Sequence, residues 1–302
     1  MNFFQFLKKF STEEACIQHF INVRYPQGAV CNHCGNKTTY RRGASKNFDC
    51  KKCNNTFSIF KGTIFEKSDT DLRKWFFAIH LFLNGKKGIS GLQLQREIGV
   101  TYKTAWRILQ KIREAMGNDK DNNDDDFTGL MQGIIEADET YVGGKEENKH
   151  EHKKGKSAKS IILGLINRDK KLARAFHVES TKYYDLAEKI MNDVAIGSTL
   201  ITDEHASYKM LKLYYNHLSI NHSKGEYVKK GNKEVHTNGI ENFWSTFKRG
   251  IYGIYHHVSK QHLQKYINEF CFRYNNRENE NSFDLVLVNS VSKSVRRVKS
   301  DF

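Results

Sequence analysis

The sequence predicts an α/β protein: a mixed β-sheet flanked by helices, preceded by a small metal-binding module and a helical module. Three observations carry this. From residue 130 onward, apolar runs of strand length alternate with stretches of helical period. Two Cys-x-x-Cys knuckles, Cys31/Cys34 and Cys50/Cys53, stand 15 residues apart near the start. Between these regions, residues 67–117 carry helical periodicity only.

The cysteine quartet lies in residues 1–66. Each knuckle can present two thiolates to one side, and two knuckles complete a tetrahedral Zn2+ site. Gly35 after the first pair and Asn54-Asn55 after the second suit tight turns. The intervening TTYRRGASKNFDC reads as short strands joined by a turn, a zinc ribbon. Four cysteines fill the site, so the zinc is structural. Arg41, Arg42, Lys46, Lys51 and Lys52 make the ribbon basic, which suits phosphate contact or a solvated face. Only Cys16 and Cys271 remain, so reduced thiols and a cytoplasmic setting are expected.

Residues 67–117 end in GISGLQLQREIGVTYKTAWRILQKIREAM, which has helix-turn-helix grammar. Leu92, Leu94 and Ile98 are expected to bury the first helix, and Gly99 sits at the turn. Thr101 can cap the second helix. Tyr102, Lys103, Thr104 and Arg107 lie near its start, where a recognition helix meets base edges and phosphates. Residues 118–129 are acidic and aperiodic, and read as a linker.

The catalytic-domain candidate spans residues 130–285. LMQGIIEADETYV, SIILGLIN and LARAFHVE read as three successive strands joined by polar connections, an antiparallel meander. KYYDLAEKIMNDV reads as a helix, TLITD as a strand and LSINH as a fifth strand. A helix carrying Glu241 and a longer one, KQHLQKYINEFCFRYNN, follow. Residues 286–302 read as a basic C-terminal tail.

The formal net charge is +15, from 49 Lys+Arg against 34 Asp+Glu, which favours a polyanionic partner such as nucleic acid. No run approaches the roughly 18 to 20 apolar residues of a membrane span, and the N-terminus reads as an amphipathic helix rather than a signal peptide. Membrane partners are therefore not expected.

Acidic residues stand at strand ends. Glu136, Asp138 and Glu139 compete for a role in ADET; Glu136 and Asp138 share one strand face, and Glu139 opposes them. Asp203 ends TLITD. Glu241 and Lys248, seven residues apart, return to one helix face about two turns apart. Three carboxylates can hold two divalent cations, and hard oxygen donors suit Mg2+ or Mn2+. Phe243 and Phe247 can anchor this helix, and Trp244 and Tyr252 read as packing residues. Arg249, His256 and His257 read as DNA contacts, and Arg273, Tyr274, Asn275 and Arg277 as candidates for backbone phosphates.

The chain resembles transposases of the IS1595 family, which carry an ISXO2-like DDE domain. The resemblance rests on the cysteine ribbon, GVTYKTAWRILQKIREAM, ADETYVGGK, ITDEHASY and HTNGIENFWSTFKRGIYGIYHHVSKQHLQKYINEFCFRYNNR, in order over roughly residues 10–280. It implies an RNase H-like catalytic core with two Mg2+ or Mn2+ ions per site. It implies DNA partners, namely the element's terminal inverted repeats and target DNA, and at least a dimer on DNA. The implied acids are Asp138, Asp203 and Glu241, with Lys248 beyond. The family varies at its third acidic position, with asparagine in some branches, and Asn238 lies one turn before Glu241. Glu241 is preferred because a carboxylate binds a hard dication more strongly than an amide. A domesticated copy that binds DNA without cutting it is the alternative reading.

Overall fold

The computed structural model describes residues 1–117, 129–143, 159–220, 228–229, 231–232 and 234–291. Most of the expected acidic linker, residues 118–128, lies outside the described residues, as do residues 292–302 of the expected tail. The chain divides into two units, one built from residues 1–118 and 279–302 and the other from residues 119–278.

In the first unit, α1 (Phe3–Lys9) opens with a capping box formed by Asn2 and Gln5, and α2 (Glu13–Arg24) is capped by Thr12. The ribbon follows as three antiparallel strands, β1 (Thr39–Arg41), β2 (Asn47–Cys50) and β3 (Thr56–Ser58). Three helices complete the run: α3 (Leu72–Asn84), α4 (Gly91–Ile98) and α5 (Tyr102–Met116). Ser90 caps α4 and Thr101 caps α5. Gly99 ends α4 at φ +59°, a left-handed conformation that glycine adopts without penalty. Leu94 and Ile98 are buried as expected, but Leu92 is 56% exposed, on the opposite side of α4.

The second unit inserts a five-stranded sheet with order β6-β5-β4-β7-β8. Here β4 (Ile134–Val142), β5 (Ser160–Asn167) and β6 (Leu172–Val178) form the antiparallel meander read from the sequence. After α6 (Tyr183–Asp193), the strands β7 (Thr199–Asp203) and β8 (Asn216–Ile220) run parallel to β4, with a 3-10 helix (Ala206–Leu213) between them. Strand alternation splits the core in two. Ile135, Ala137, Leu163 and Leu165 face α6 and the 3-10 helix. Val142, Ile162 and Ile166 face α7 (Asn238–Gly250) and α8 (Lys260–Asn275). A single π-helical turn (Ile251–Tyr255) joins α7 to the residues before α8.

The last helix, α9 (Ser282–Asn289), packs in the first unit against α2, α3 and α5. Phe283 lies 5.4 Å from Phe10 and 5.3 Å from Phe76 between ring centroids. Asp284 pairs with His19 at 2.7 Å, and Val291 bridges to Thr63. The segment expected as a basic tail from residue 286 therefore begins inside a packed helix. Residues 279–285, grouped with the catalytic region in the sequence, also lie in the first unit.

Candidate active site and metal centre

The ribbon brings its four cysteines together. The Sγ atoms of Cys31, Cys34, Cys50 and Cys53 lie within 4.8 Å of one another, the donor set and spacing of a structural Zn2+ site. The backbone N–H of His33 points at Cys31 Sγ, and that of Lys52 at Cys50 Sγ, both at 3.4 Å. Such donors favour thiolates. Burial works against ionisation at Cys50, yet the surrounding N–H groups and the Asn36 amide bring its thiol below the usual range. Of the basic ribbon residues, three are engaged within the unit: Arg41 with Glu14, Arg42 with Asp49 and Lys46 with Glu13.

On α5, Tyr102, Lys103 and Arg107 are exposed and Thr104 is half-buried. Ala105, Ile108, Leu109 and Ile112 form the buried side of the same helix. Trp106 is 37% exposed on the outer side with Tyr102 and Arg107.

In the second unit, β4 carries three carboxylates with three different surroundings. Glu136 is 1% exposed. Its Oε1 accepts a hydrogen bond from Arg168 Nε at 2.6 Å, and its Oε2 accepts the Ile240 N–H at 2.8 Å, at the start of α7. Arg168 also donates to the carbonyls of Glu234 and His236 and to His236 Nδ1. His236, whose side chain is 27% exposed, is thus part of a half-buried latch over the N-terminus of α7. Glu136 is a neutralised, capping carboxylate.

Asp138 shares the strand face of Glu136, as alternation requires. The parallel ladder pairs Glu136 with Ile201; two residues further along each strand stand Asp138 and Asp203. Burial, reinforced by Glu139 and Asp203, pushes the Asp138 carboxyl up to about 7. Two hydrogen bonds oppose this: Trp244 Nε1 donates to Asp138 Oδ2 at 3.0 Å, and the Glu139 backbone N–H contributes the weaker one. Asp203 accepts the His205 N–H at 3.0 Å. Glu139, on the other strand face, accepts the Tyr208 hydroxyl at 2.5 Å, and burial raises its carboxyl as well.

Glu241 lies half-buried in the first turn of α7, where Thr237 Oγ1 donates to its Oε1 at 2.9 Å. It shares a helix face with Trp244 and with Lys248, which is half-buried two turns on. Asn238 is the exposed first residue of α7. The structure thus joins Asp138, Asp203 and the α7 face bearing Glu241. The three carboxylates do not close into a cluster as tight as the cysteines: among the described residues, no other group of His, Cys, Asp or Glu converges in that way.

Phe243, Trp244 and Phe247 are buried as expected, whereas Tyr252 is 48% exposed. Arg249, His256 and His257 are also exposed, and His256 has φ +57°. Two of the residues read as phosphate contacts are held inside the unit. Arg273 pairs with the fully buried Glu269, and the Asn275 amide bonds both the N–H and the carbonyl of Ala173.

Two residues of this site carry a signal in the sequence that points to a close approach of helix and strand. Gly164 interrupts the apolar strand SIILGLIN, and a lone glycine inside a strand marks close approach of another element. A Cβ there would lie 2.5 Å from Trp244 Cζ2 and 2.7 Å from Ile240 Cδ1. Trp244 itself was read only as packing, although a buried indole N–H needs an acceptor.

The comparisons with known proteins agree with this architecture. Residues 130–275 match the ISXO2-like transposase domain, and residues 11–56 match the transposase zinc-ribbon domain. An uncharacterized protein in transposable element ISH50 of Halobacterium salinarum is 26% identical over 285 residues, covering 88% of this chain and 92% of that protein. An uncharacterized transposase-like protein of Haemophilus influenzae is 33% identical over 94 residues, 31% of this chain and 69% of its own length. A pre-cleavage Mos1 transpososome matches at 10% identity and a TM-score of 0.29, over 70% of this chain and 78% of that one. No helix among the described residues is long and apolar enough to cross a membrane. With ribbon and DDE domain matched in chain order, the chain has the architecture of the IS1595 transposase family and is a DDE transposase acting on DNA.

Proposed function

We propose that this transposase cuts the phosphodiester at the ends of its element and joins the freed strand to target DNA, using Asp138, Asp203 and Glu241. The observation that carries the reading is the Asp138–Asp203 pair on adjacent parallel strands. Burial and like charge raise the Asp138 carboxyl, and among the described residues no cation pairs with it, whereas Glu136 on the same strand has Arg168. A site of hard oxygens with uncompensated negative charge fits Mg2+ or Mn2+. Two such ions, held by these three acids, would supply charge stabilisation for the attacking and leaving oxygens of an in-line displacement.

The protein's own groups then have separate tasks. Asp138 and Asp203, on rigid strands, fix one side of the site. Glu241 completes it from α7. Lys248, on the same face of α7, sits suitably for a non-bridging phosphate oxygen, with Arg249, His256 and His257 as further DNA contacts. Water and then the 3′-OH serve as nucleophiles, so the chain forms no covalent bond to DNA. Tyr102, Lys103, Thr104 and Arg107 of α5 recognise the terminal inverted repeats, with the ribbon contributing phosphate contacts. Two ends must be joined, which calls for at least a dimer on DNA. Reduced ribbon thiols suit a cytoplasmic protein working on nucleoid DNA.

The test is Mg2+-dependent nicking of a labelled duplex carrying the element's end. Asp138→Asn, Asp203→Asn and Glu241→Gln should each lower cleavage by orders of magnitude while end binding survives. Asn238→Ala should retain substantial activity. Normal cutting by Glu241→Gln together with loss in Asn238→Ala would transfer the third ligand to Asn238; indifference to all of them would end the metal-site reading.

A further inference from the structure

We propose that Trp244 is a positioning residue for the catalytic carboxylate Asp138, and that Gly164 exists to admit it. This rests on the assignment of Asp138 as a metal-holding acid.

Trp244 Nε1 donates to Asp138 Oδ2 at 3.0 Å from a ring that is 4% exposed. Buried carboxylates have two rotational choices. A hydrogen bond to one oxygen removes that freedom and presents the second oxygen in one direction. Carboxylate and histidine ligands of metal sites are routinely oriented by such outer partners. The apolar task of the helix does not need an indole here, because Phe243 and Phe247 already fill the space on either side, with ring centroids 5.1 and 6.0 Å from that of Trp244. What only tryptophan adds is the N–H.

The strand opposite supports the same assignment. Gly164 is the ladder partner of Asp138 in the β4–β5 pair. A Cβ at position 164 would fall 2.5 Å from Trp244 Cζ2 and 2.8 Å from Cη2, too close for any side chain without moving the indole. Both neighbours of Gly164, Leu163 and Leu165, are fully buried apolar residues, so the glycine is not a turn or an edge feature. The missing side chain is the space that brings the indole within reach of Asp138.

The experiment uses the full chain. It contains three tryptophans, Trp75, Trp106 and Trp244, so its indole N–H cross-peaks can be assigned with one Trp→Phe variant each. Titration of wild type with Mn2+ should broaden the Trp244 peak, and Mg2+ should shift it. Trp244→Phe keeps an aromatic ring, smaller than the indole, and deletes the donor. Its circular dichroism and its amide and methyl dispersion, compared with wild type, report whether the second unit is folded, since Trp75 and Trp106 lie in the first. It should cut about 10- to 100-fold more slowly, with the Mg2+ midpoint raised by a similar factor, while binding the element end normally. Asp138→Asn separates the two claims. If Asp138→Asn is inactive while Trp244→Phe keeps the wild-type rate and Mg2+ midpoint, positioning by Trp244 is wrong and the metal-site reading stands. If the wild-type Trp244 peak ignores Mn2+ at concentrations that support cleavage, positioning is likewise wrong. If Asp138→Asn cuts normally, both fall.

Discussion

Glu136 offers the sharpest way to separate scaffold from chemistry, because it stands two residues from Asp138 on the same strand face. Replace it with alanine. The carboxylate that vanishes is 1% exposed and meets Arg168 Nε at 2.6 Å and the Ile240 N–H at 2.8 Å. Removing one partner of a buried pair costs about 3–5 kcal/mol, because the other charge stays buried without compensation. Arg168 keeps the carbonyls of Glu234 and His236, and its side chain is 18% exposed, which argues for the lower end of that range. The loss of a charge at the helix N-terminus adds about 0.3–1 kcal/mol. A net loss of about 3–4 kcal/mol, at about 2–4 °C per kcal/mol for a unit of this size, should lower its melting transition by roughly 6–16 °C. Unfolding should be followed by a probe specific to the second unit, since a chain with two units does not obey a single two-state transition. Glu136→Gln should fall between wild type and alanine, because its amide oxygen can still accept one of the two hydrogen bonds. Below the melting transition both variants should retain measurable Mg2+-dependent cleavage. The reasoning fails if Glu136→Ala melts within about 2 °C of wild type. It fails differently if Glu136→Gln is as stable as wild type and as inactive as Asp138→Asn, for then Glu136 would itself hold the metal.

Three further outcomes are expected. Purified protein should contain one Zn2+ per chain, and Cys31→Ser or prolonged chelation should release it and loosen the ribbon, read by metal analysis and by proteolysis within residues 31–53; a well-folded, zinc-free wild type would remove the site. Phe283→Ala should cost the first unit about 3–5 kcal/mol, the range for emptying a buried phenylalanine site, and denaturant unfolding should show it in that unit's transition although the residue lies after the entire catalytic domain. The third concerns pH. The folded Asp138 carboxyl titrates at about 7, above its ordinary carboxylate range, so the native state binds the proton more tightly than the unfolded one. The stability this contributes is present below about pH 4 and is lost as pH rises through 7, at up to about 1.4 kcal/mol per pH unit. Metal-free protein should therefore be less stable at pH 8 than at pH 5, Mg2+ should reverse the trend, and Asp138→Asn should flatten it.

Much of this was legible in the sequence because it is local. The knuckle spacing announces the ribbon. The apolar runs announce the sheet, and polar connections without an apolar helical pattern between LMQGIIEADETYV, SIILGLIN and LARAFHVE announce the antiparallel meander. Alternation correctly put Glu136 and Asp138 on one face and Glu139 on the other. What it could not give was each acid's partner, since Arg168 and Tyr208 reach them from 32 and 69 residues away. The return of α9 to the first unit was hidden for the same reason. SFDLVLVN reads as a short apolar helix wherever it packs, and the surface that receives it is assembled from Phe6, Phe10, His19 and Phe76. The amphipathic pattern of α4 misled at Leu92, because a helix of eight residues offers too few turns to fix which side is buried.

The buried groups around β4 make most sense together. Two hydrogen bonds tie α7 to one face of that strand: Glu136 accepts from the Ile240 backbone, and Asp138 accepts from the Trp244 indole. The acceptors are two residues apart on a strand, about 6.8 Å. The donors are four residues apart on a helix, about 6 Å along its axis. Strand and helix therefore run in the same direction in matching steps, and the helix cannot slide or turn without breaking both bonds. Hydrophobic packing alone would not forbid such a shift, because one apolar ring can replace another. A carboxylate buried with an arginine is a poor source of stability compared with apolar contacts, but it sets register. Glu241 follows Ile240 in the chain, and Lys248 lies one turn beyond Trp244. Both inherit their positions from those two bonds, so one strand carries Asp138 and also determines where the helix brings Glu241.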